Sequence, residues 1–319
     1  MLHFIKRVLV LYVALLWSGV FVLQAADRYV VEPGTIAVGH GGVYTDWSIA
    51  ATQIQWAVDV ADTANDTVWV SNGVYVLTNQ IEITNTFVIN LRSPNGPDVT
   101  IVNGGYMPGT PEATTNNRCL FVTNAPSFVH GFTFSNGASL GYGGGVQLRS
   151  GIVSNCIVCN NKVFVPSGVS EAGGGGIYLR DGGTVTACRV NGNTVTNLST
   201  GVAGAGGGIY AKGGGCFISD CIVSNNRIFT QGESFGGGVF VYSCKMISYN
   251  TRRVTYGALY MRPNAVTYAV CVDNTLPALF IPTERGERTT CLTLPESMPT
   301  ISNIRASGPT PALPGRGSL

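Results

Sequence analysis

Between residues 143 and 250 the apolar positions come in short pairs two residues apart, with no segment long enough for a helix between them. Val153 precedes Cys156-x-Val158, Val185 precedes Cys188-x-Val190, and Ile218 precedes Cys221-x-Val223. Two apolar residues at that spacing make a very short strand with one buried face. The step of three from Val153 to Cys156 breaks the alternation, so a bend must separate two strands there. Ahead of each pair a glycine run leads into a third strand. Gly143-Gly144-Gly145-Val146-Gln147-Leu148-Arg149 returns as Gly174-Gly175-Gly176-Ile177-Tyr178-Leu179-Arg180, as Gly206-Gly207-Gly208-Ile209-Tyr210-Ala211-Lys212 and as Gly236-Gly237-Gly238-Val239-Phe240-Val241-Tyr242. The apolar leads Val146, Ile177, Ile209 and Val239 stand 31, 32 and 30 residues apart.

A period of that length means a stacked repeat. A phosphate-binding loop needs a single glycine turn between strand and helix that ends in Gly-Lys-Ser/Thr, and none of the four runs ends that way. Each unit reads as at least three short strands joined by bends, then a Gly/Ser-rich loop such as Val165 to Gly173. A coil that climbs one strand spacing per turn lets such strands run parallel without crossover helices. Equivalent residues then stack in columns about 4.8 Å apart. Cys156, Cys188 and Cys221 form one column, expected to be buried free thiols because parallel stacking points their side chains the same way and a disulfide needs converging ones. Asn161, Asn193 and Asn226, each five residues after a column cysteine, form an asparagine ladder at a bend. The pattern predicts an all-β parallel β-helix, a solenoid.

Glycine triplet, strand, bend, Cys-x-Val and asparagine together resemble the right-handed parallel β-helix repeat proteins of the pectate-lyase-like superfamily. The Gly-Gly-Gly-Val/Ile units are also similar to those of bacterial polymorphic outer-membrane-type proteins. The resemblance spans roughly residues 29 to 250. Within it Gln53 to Ala61 is an amphipathic helix with Ile54, Ala57, Val58 and Ala61 on one face, followed by the strand-like Asp66-Thr67-Val68-Trp69-Val70 and Gly73-Val74-Tyr75. The resemblance implies that this N-terminal helix caps the first coil. It also implies where catalysis would sit, since lyases of this fold gather acidic Ca²⁺ ligands and a base on one outer sheet, and its hydrolases cluster aspartates. Between Gly137 and Asn250 the only acids are Glu171, Asp181, Asp220 and Glu233, and they share no column. No catalytic residue carries over, and neither a metal nor a cofactor is expected. The fold hosts many functions.

The ends divide the chain further. Lys6 and Arg7, an apolar run from Val8 to Leu23, and Gln24-Ala25-Ala26 have the order of a secretory signal cleaved near Ala25 or Ala26. Sixteen apolar residues are short for a membrane span. The expected division is a signal at 1–26, a β-helix with its cap at 27–250, and a tail at 251–319 without repeat or period. That tail fits a divergent cap, a linker or an altered reading frame. Export to the medium or the cell surface follows, with no membrane-crossing segment in the mature chain. A net charge of +2 with 11% charged residues sets no field for nucleic acid. Nine cysteines are an odd number without small-scaffold spacing, and Cys156-Ile157-Val158-Cys159 has neither a second pair nor a nearby histidine to make a metal site. His130, just ahead of Phe132-Thr133-Phe134, reads as structural, no partner being identifiable.

One face stands out. Alternation turns Gln147, Tyr178, Tyr210 and Phe240 outward in one column, and Arg149, Arg180, Lys212 and Tyr242 in the next. An aromatic ladder beside a basic one suits stacking on sugar rings and pairing with acidic groups. The competing reading is that the glycine loops fold over the aromatics and leave the cations as a solvated edge. The function these features predict is a non-catalytic, exported scaffold binding a polysaccharide or cell-surface glycan through an outer sheet. A lyase or hydrolase of acidic glycans is the alternative.

Overall fold

In a computed structural model the described residues are 24–34, 39–107, 117–165, 168–169, 171–197, 203–230, 234–242, 253–255 and 259–261. The expected signal up to residue 23 and the tail from 262 lie outside them. Three seven-stranded sheets wall a coil, and every strand pairing in them is parallel. One turn shows the plan: Ile152–Ser154 lies in the first sheet, Ile157–Cys159 in the second and Ile177–Arg180 in the third. The columns read from the sequence are the observed registers. Val153 pairs with Val185 and Val185 with Ile218. Val158 pairs with Val190 and Val190 with Val223, while Ile177 pairs with Ile209 and Ile209 with Val239. The chain is a parallel β-helix.

The bend required between Val153 and Cys156 is a single left-handed residue. Asn155, Ala187 and Asp220 occupy it on successive coils with φ of 49°, 53° and 52°. Asparagine and aspartate tolerate that region, whereas alanine has no polar side chain to offset the roughly 1–2 kcal/mol it costs. Ala187 is exposed, so Ala187→Gly removes strain without opening a cavity. Its expected effect is a gain of up to about 1 kcal/mol in urea unfolding.

Inside the coil, Val146, Leu148, Val153, Val158 and their stacked equivalents form one continuous apolar core. Cys156, Cys188 and Cys221 are buried in it as free thiols. Each donates to the carbonyl two residues back: Ser154 at 3.1 Å, Thr186 at 3.2 Å and Ser219 at 3.1 Å. Hydrogen bonds with the thiols above and below, together with burial, push the Cys188 thiol well above the usual cysteine value.

The asparagine column explains the glycine triplets. Asn161 Nδ2 donates to Asn193 Oδ1 at 3.0 Å and Asn193 Nδ2 to Asn226 Oδ1 at 2.9 Å. The same oxygens accept the backbone N–H groups of Asn161 and Asn193, each at 3.0 Å. The Nδ2 groups also donate to the carbonyls of Phe134, Val158 and Val190. All three asparagines are buried, so the ladder satisfies polar groups that water cannot reach. The third glycine of each triplet lies against it. A Cβ on Gly145, Gly176 or Gly208 would stand 2.6, 2.8 or 2.7 Å from the adjoining asparagine Nδ2. The second glycine meets the next coil, where a Cβ on Gly175 would lie 2.3 Å from Gly207 O. The first turns the chain, with φ of 62°, 68°, 55° and 61° at Gly143, Gly174, Gly206 and Gly236.

Between the second and third sheets the chain has structure of its own, which reaches into the segment Val165 to Gly173 expected to be a loop. Lys162–Phe164 and its equivalents make a fourth, four-stranded sheet, and Glu171–Gly173, Ala203–Ala205 and Ser234–Phe235 a fifth, three-stranded one. Val163, Val165, Val195 and Ala172 pack between the two. At the N-terminal end, helix Ile54–Asp59 buries Ile54, Ala57 and Val58 and packs against strands Asp27–Val30, Thr67–Val70 and Ile81–Ile83, capping the first coil as the resemblance implies. Beyond Asn250, strands Arg253–Thr255 and Leu259–Met261 still extend the second and third sheets.

Candidate functional site

The outward aromatic column of the third sheet is not a surface. Tyr178, Tyr210 and Phe240 leave the coil as alternation requires, yet they are only 1%, 0% and 2% exposed. The fifth sheet covers them. Ala205 and Phe235 pack on the rings, which stack Tyr142 to Tyr178 at 4.5 Å, Tyr178 to Tyr210 at 5.1 Å and Tyr210 to Phe240 at 5.1 Å. Within that sheet a Cβ on Gly173 would run into the backbone of its partner Ala205, so glycine is what lets these two strands pair so closely. Gln147 is buried with them. The expectation of an exposed aromatic platform at Tyr178, Tyr210 and Phe240 is therefore corrected: the ladder is a second core. Burial raises the phenol pKa of both Tyr178 and Tyr210. The basic column remains at the edge. Arg149 and Arg180 are exposed, and Arg180 pairs with its neighbour Asp181. Lys212 is half-buried, bonded to Glu171 of the covering sheet. It fastens that sheet to the coil instead of facing outward alone.

The first sheet carries a different row. Tyr29 pairs with Trp69, Trp69 with Arg92 and Arg92 with His130, so these four side chains stand side by side on the outer face of consecutive strands. All four are half-exposed. Trp47 extends the row with its ring 4.5 Å from Tyr29. The Trp69 indole is held by Nε1 donating to Asp27 Oδ1 at 2.9 Å, which fixes the ring in the row. Phe128, one column over, stacks with the His130 ring at 5.7 Å, and the Arg92 guanidinium lies 4.7 Å from the Phe128 centroid. Burial, and secondarily the Arg92 charge, lower the His130 pKa and favour the neutral imidazole. The row then fades into Ser154, Thr186 and Ser219. His130, read from the sequence as structural, stands in this row with its ring packed on Phe128.

No protein-family model and no curated protein matches the sequence. Among solved structures the chain is similar to a pectin methylesterase from carrot, at 11% identity and a TM-score of 0.33, covering 75% of this chain and 81% of that one.

Chemically the row offers flat apolar faces, one fixed cation, one carboxylate at Asp27 and short hydroxyl groups. Groups of these kinds are suited to stacking on and hydrogen-bonding to a ring-shaped polar ligand. Among the described residues, no group of three or more His, Cys, Asp or Glu is placed to hold a metal ion. No helix of these residues is long and apolar enough to cross a membrane. A cavity of about 240 Å³ opens beside the cap, lined by His40, Trp56, Asp59 and Asn79 among others. It falls below the roughly 300–1,000 Å³ of drug-sized ligand sites. Sequence reasoning missed the first-sheet row because Tyr29, Trp69, Arg92 and His130 lie 40, 23 and 38 residues apart, without the glycine triplets that mark the later coils. The available signal was the alternation within Thr67–Val70.

Proposed function

We propose that this protein is an exported, non-catalytic β-helix scaffold that binds a polysaccharide through the outer face of its first sheet. The observation carrying the proposal is the side-by-side row of Tyr29, Trp69, Arg92 and His130, flanked by Trp47 and Phe128. Neighbouring strands of a sheet lie about 4.8 Å apart, so the row presents several ring faces along a line, which favours an extended glycan over a single small molecule. Arg92 gives the site one cation for an acidic sugar. An array of neutral and acidic polysaccharides, probed with the mature chain while unsaturated-product absorbance is followed, tests the reading. Trp69→Ala should weaken binding about five- to tenfold, the loss of one aromatic stacking partner, without changing the melting temperature by more than a few degrees. Affinity equal to wild type would remove the first sheet from consideration. Accumulation of unsaturated product would favour the lyase alternative.

A further inference from the structure

The structure assigns the maturation bond: we infer that the chain is cleaved between Ala25 and Ala26, and that the new amino terminus locks onto the buried carboxylate of Asp66. This inference rests on the export reading and goes beyond it. Asp66 is fully buried. One carboxylate oxygen accepts the Ala26 backbone N–H at 2.7 Å, and the other accepts those of Asp62 at 3.1 Å and Thr63 at 3.2 Å. Its cationic neighbour among the described residues is Arg28, at 3.7 Å from Oδ2. Arg28 is drawn elsewhere too, to the Val60 carbonyl at 3.3 Å and to Asp62 at 3.7 Å. The carboxylate therefore shares this cationic partner with Asp62 and the Val60 carbonyl. Its other oxygen, Oδ1, meets only a neutral N–H among the described residues, so a second positive charge at that oxygen is favourable for a buried anion.

Hydrolysis of the Ala25–Ala26 peptide bond supplies that second charge at Oδ1. Water adds across the bond, Ala25 leaves as a carboxylate and Ala26 becomes an α-ammonium, protonated at neutral pH. The nitrogen already stands 2.7 Å from Asp66 Oδ1, so a neutral amide contact becomes a charge-assisted ion pair with no movement of the strand. The neighbouring bond does not serve. Cleavage after Ala26 would remove both the N–H that meets Asp66 and the Ala26 carbonyl that accepts from Thr67 N at 3.0 Å. The boundary also fits exposure: Gln24 and Ala25 are exposed, Ala26 is half-buried and Asp27 opens the first strand.

The experiment has two arms. Intact mass and amino-terminal sequencing of the exported protein should give Ala26 as the first residue. A different first residue, or an uncleaved chain, overturns the inference. In the second arm, chains beginning at Ala26 and at Gln24 are produced by precise removal of a fusion partner, each with Asp66 and with Asp66→Asn. The chain beginning at Ala26 should melt about 5 °C or more above the one beginning at Gln24, and Asp66→Asn should abolish that difference. Should the Asp66→Asn chains fail to fold, acetylating the Ala26 amine of the otherwise unchanged chain should produce the same drop. Equal melting of the two starts, or of acetylated and free termini, overturns the lock whatever the glycan arrays show.

Discussion

Asn193→Ala is expected to destabilise the protein by about 3–5 kcal/mol. The Asn193 amide is the middle rung of the ladder. Its oxygen accepts from Asn161 N and Asn161 Nδ2, and its Nδ2 donates to Val158 O and Asn226 Oδ1. Removing it leaves a backbone N–H, a carbonyl and two amide groups without these partners in a site closed to water. Each buried group left unsatisfied costs about 1–3 kcal/mol, and relaxation recovers part of the sum. Asn193→Asp should be no better tolerated. A carboxylate keeps the acceptor but has no N–H for Val158 O or Asn226 Oδ1, and it buries a charge. Urea unfolding followed by far-ultraviolet circular dichroism measures both variants. A loss below about 1 kcal/mol for Asn193→Ala would mean that the ladder is not a main support of the stack.

Gly175→Ala should be worse, with a loss of about 4 kcal/mol or more and little soluble protein. An added methyl group would stand 2.3 Å from Gly207 O and 2.8 Å from the backbone N and C of Thr194. All three contacts are backbone, so no rotamer change can relieve them. The two coils would have to separate, breaking the bonds from Gly175 N to Gly206 O and from Gly176 N to Gly208 O. Overpacking of side chains costs typically about 1–3 kcal/mol, and here the ladder is lost as well. Gly39→Ala is the control. A Cβ there meets nothing within 4 Å, and the expected change is within about 0.5 kcal/mol. Similar stabilities for the two variants would refute the close-approach account of the second glycine.

These two variants probe what the sequence made legible. The recurrence of Cys-x-Val, asparagine and glycine triplets disclosed the coil, its registers and its columns, because stacked parallel strands force like residues into like environments. The capping helix was legible from Ile54, Ala57 and Val58 at helical spacing. What covers an outer face was not. Alternation states the side from which Tyr178 leaves its strand, and it says nothing about the partner on that side. The partner is a sheet whose first two strands carry Gly173, Ala203 and Ala205, too small to make an apolar period, with Phe235 on the third. The first-sheet row was hidden for a related reason: its members come from early coils of unequal length, where register cannot be counted from a repeat.

The spacing of the columns also limits how such a chain can change in length. From each cysteine to its asparagine the count is five in all three coils, and from Val153, Val185 or Ile218 to the cysteine it is three. Between third-sheet lead and cysteine the counts are ten, eleven and twelve, and between asparagine and glycine triplet thirteen, thirteen and ten. The coils therefore differ in length only at the corner from third to first sheet, by one residue per turn, and in the covering excursion, by three. Elsewhere a one-residue slip would turn every later side chain of that strand to the opposite face. Lengthening or shortening the stack by a whole turn is the change this spacing allows, because the asparagine ladder then gains or loses one rung without a mismatch.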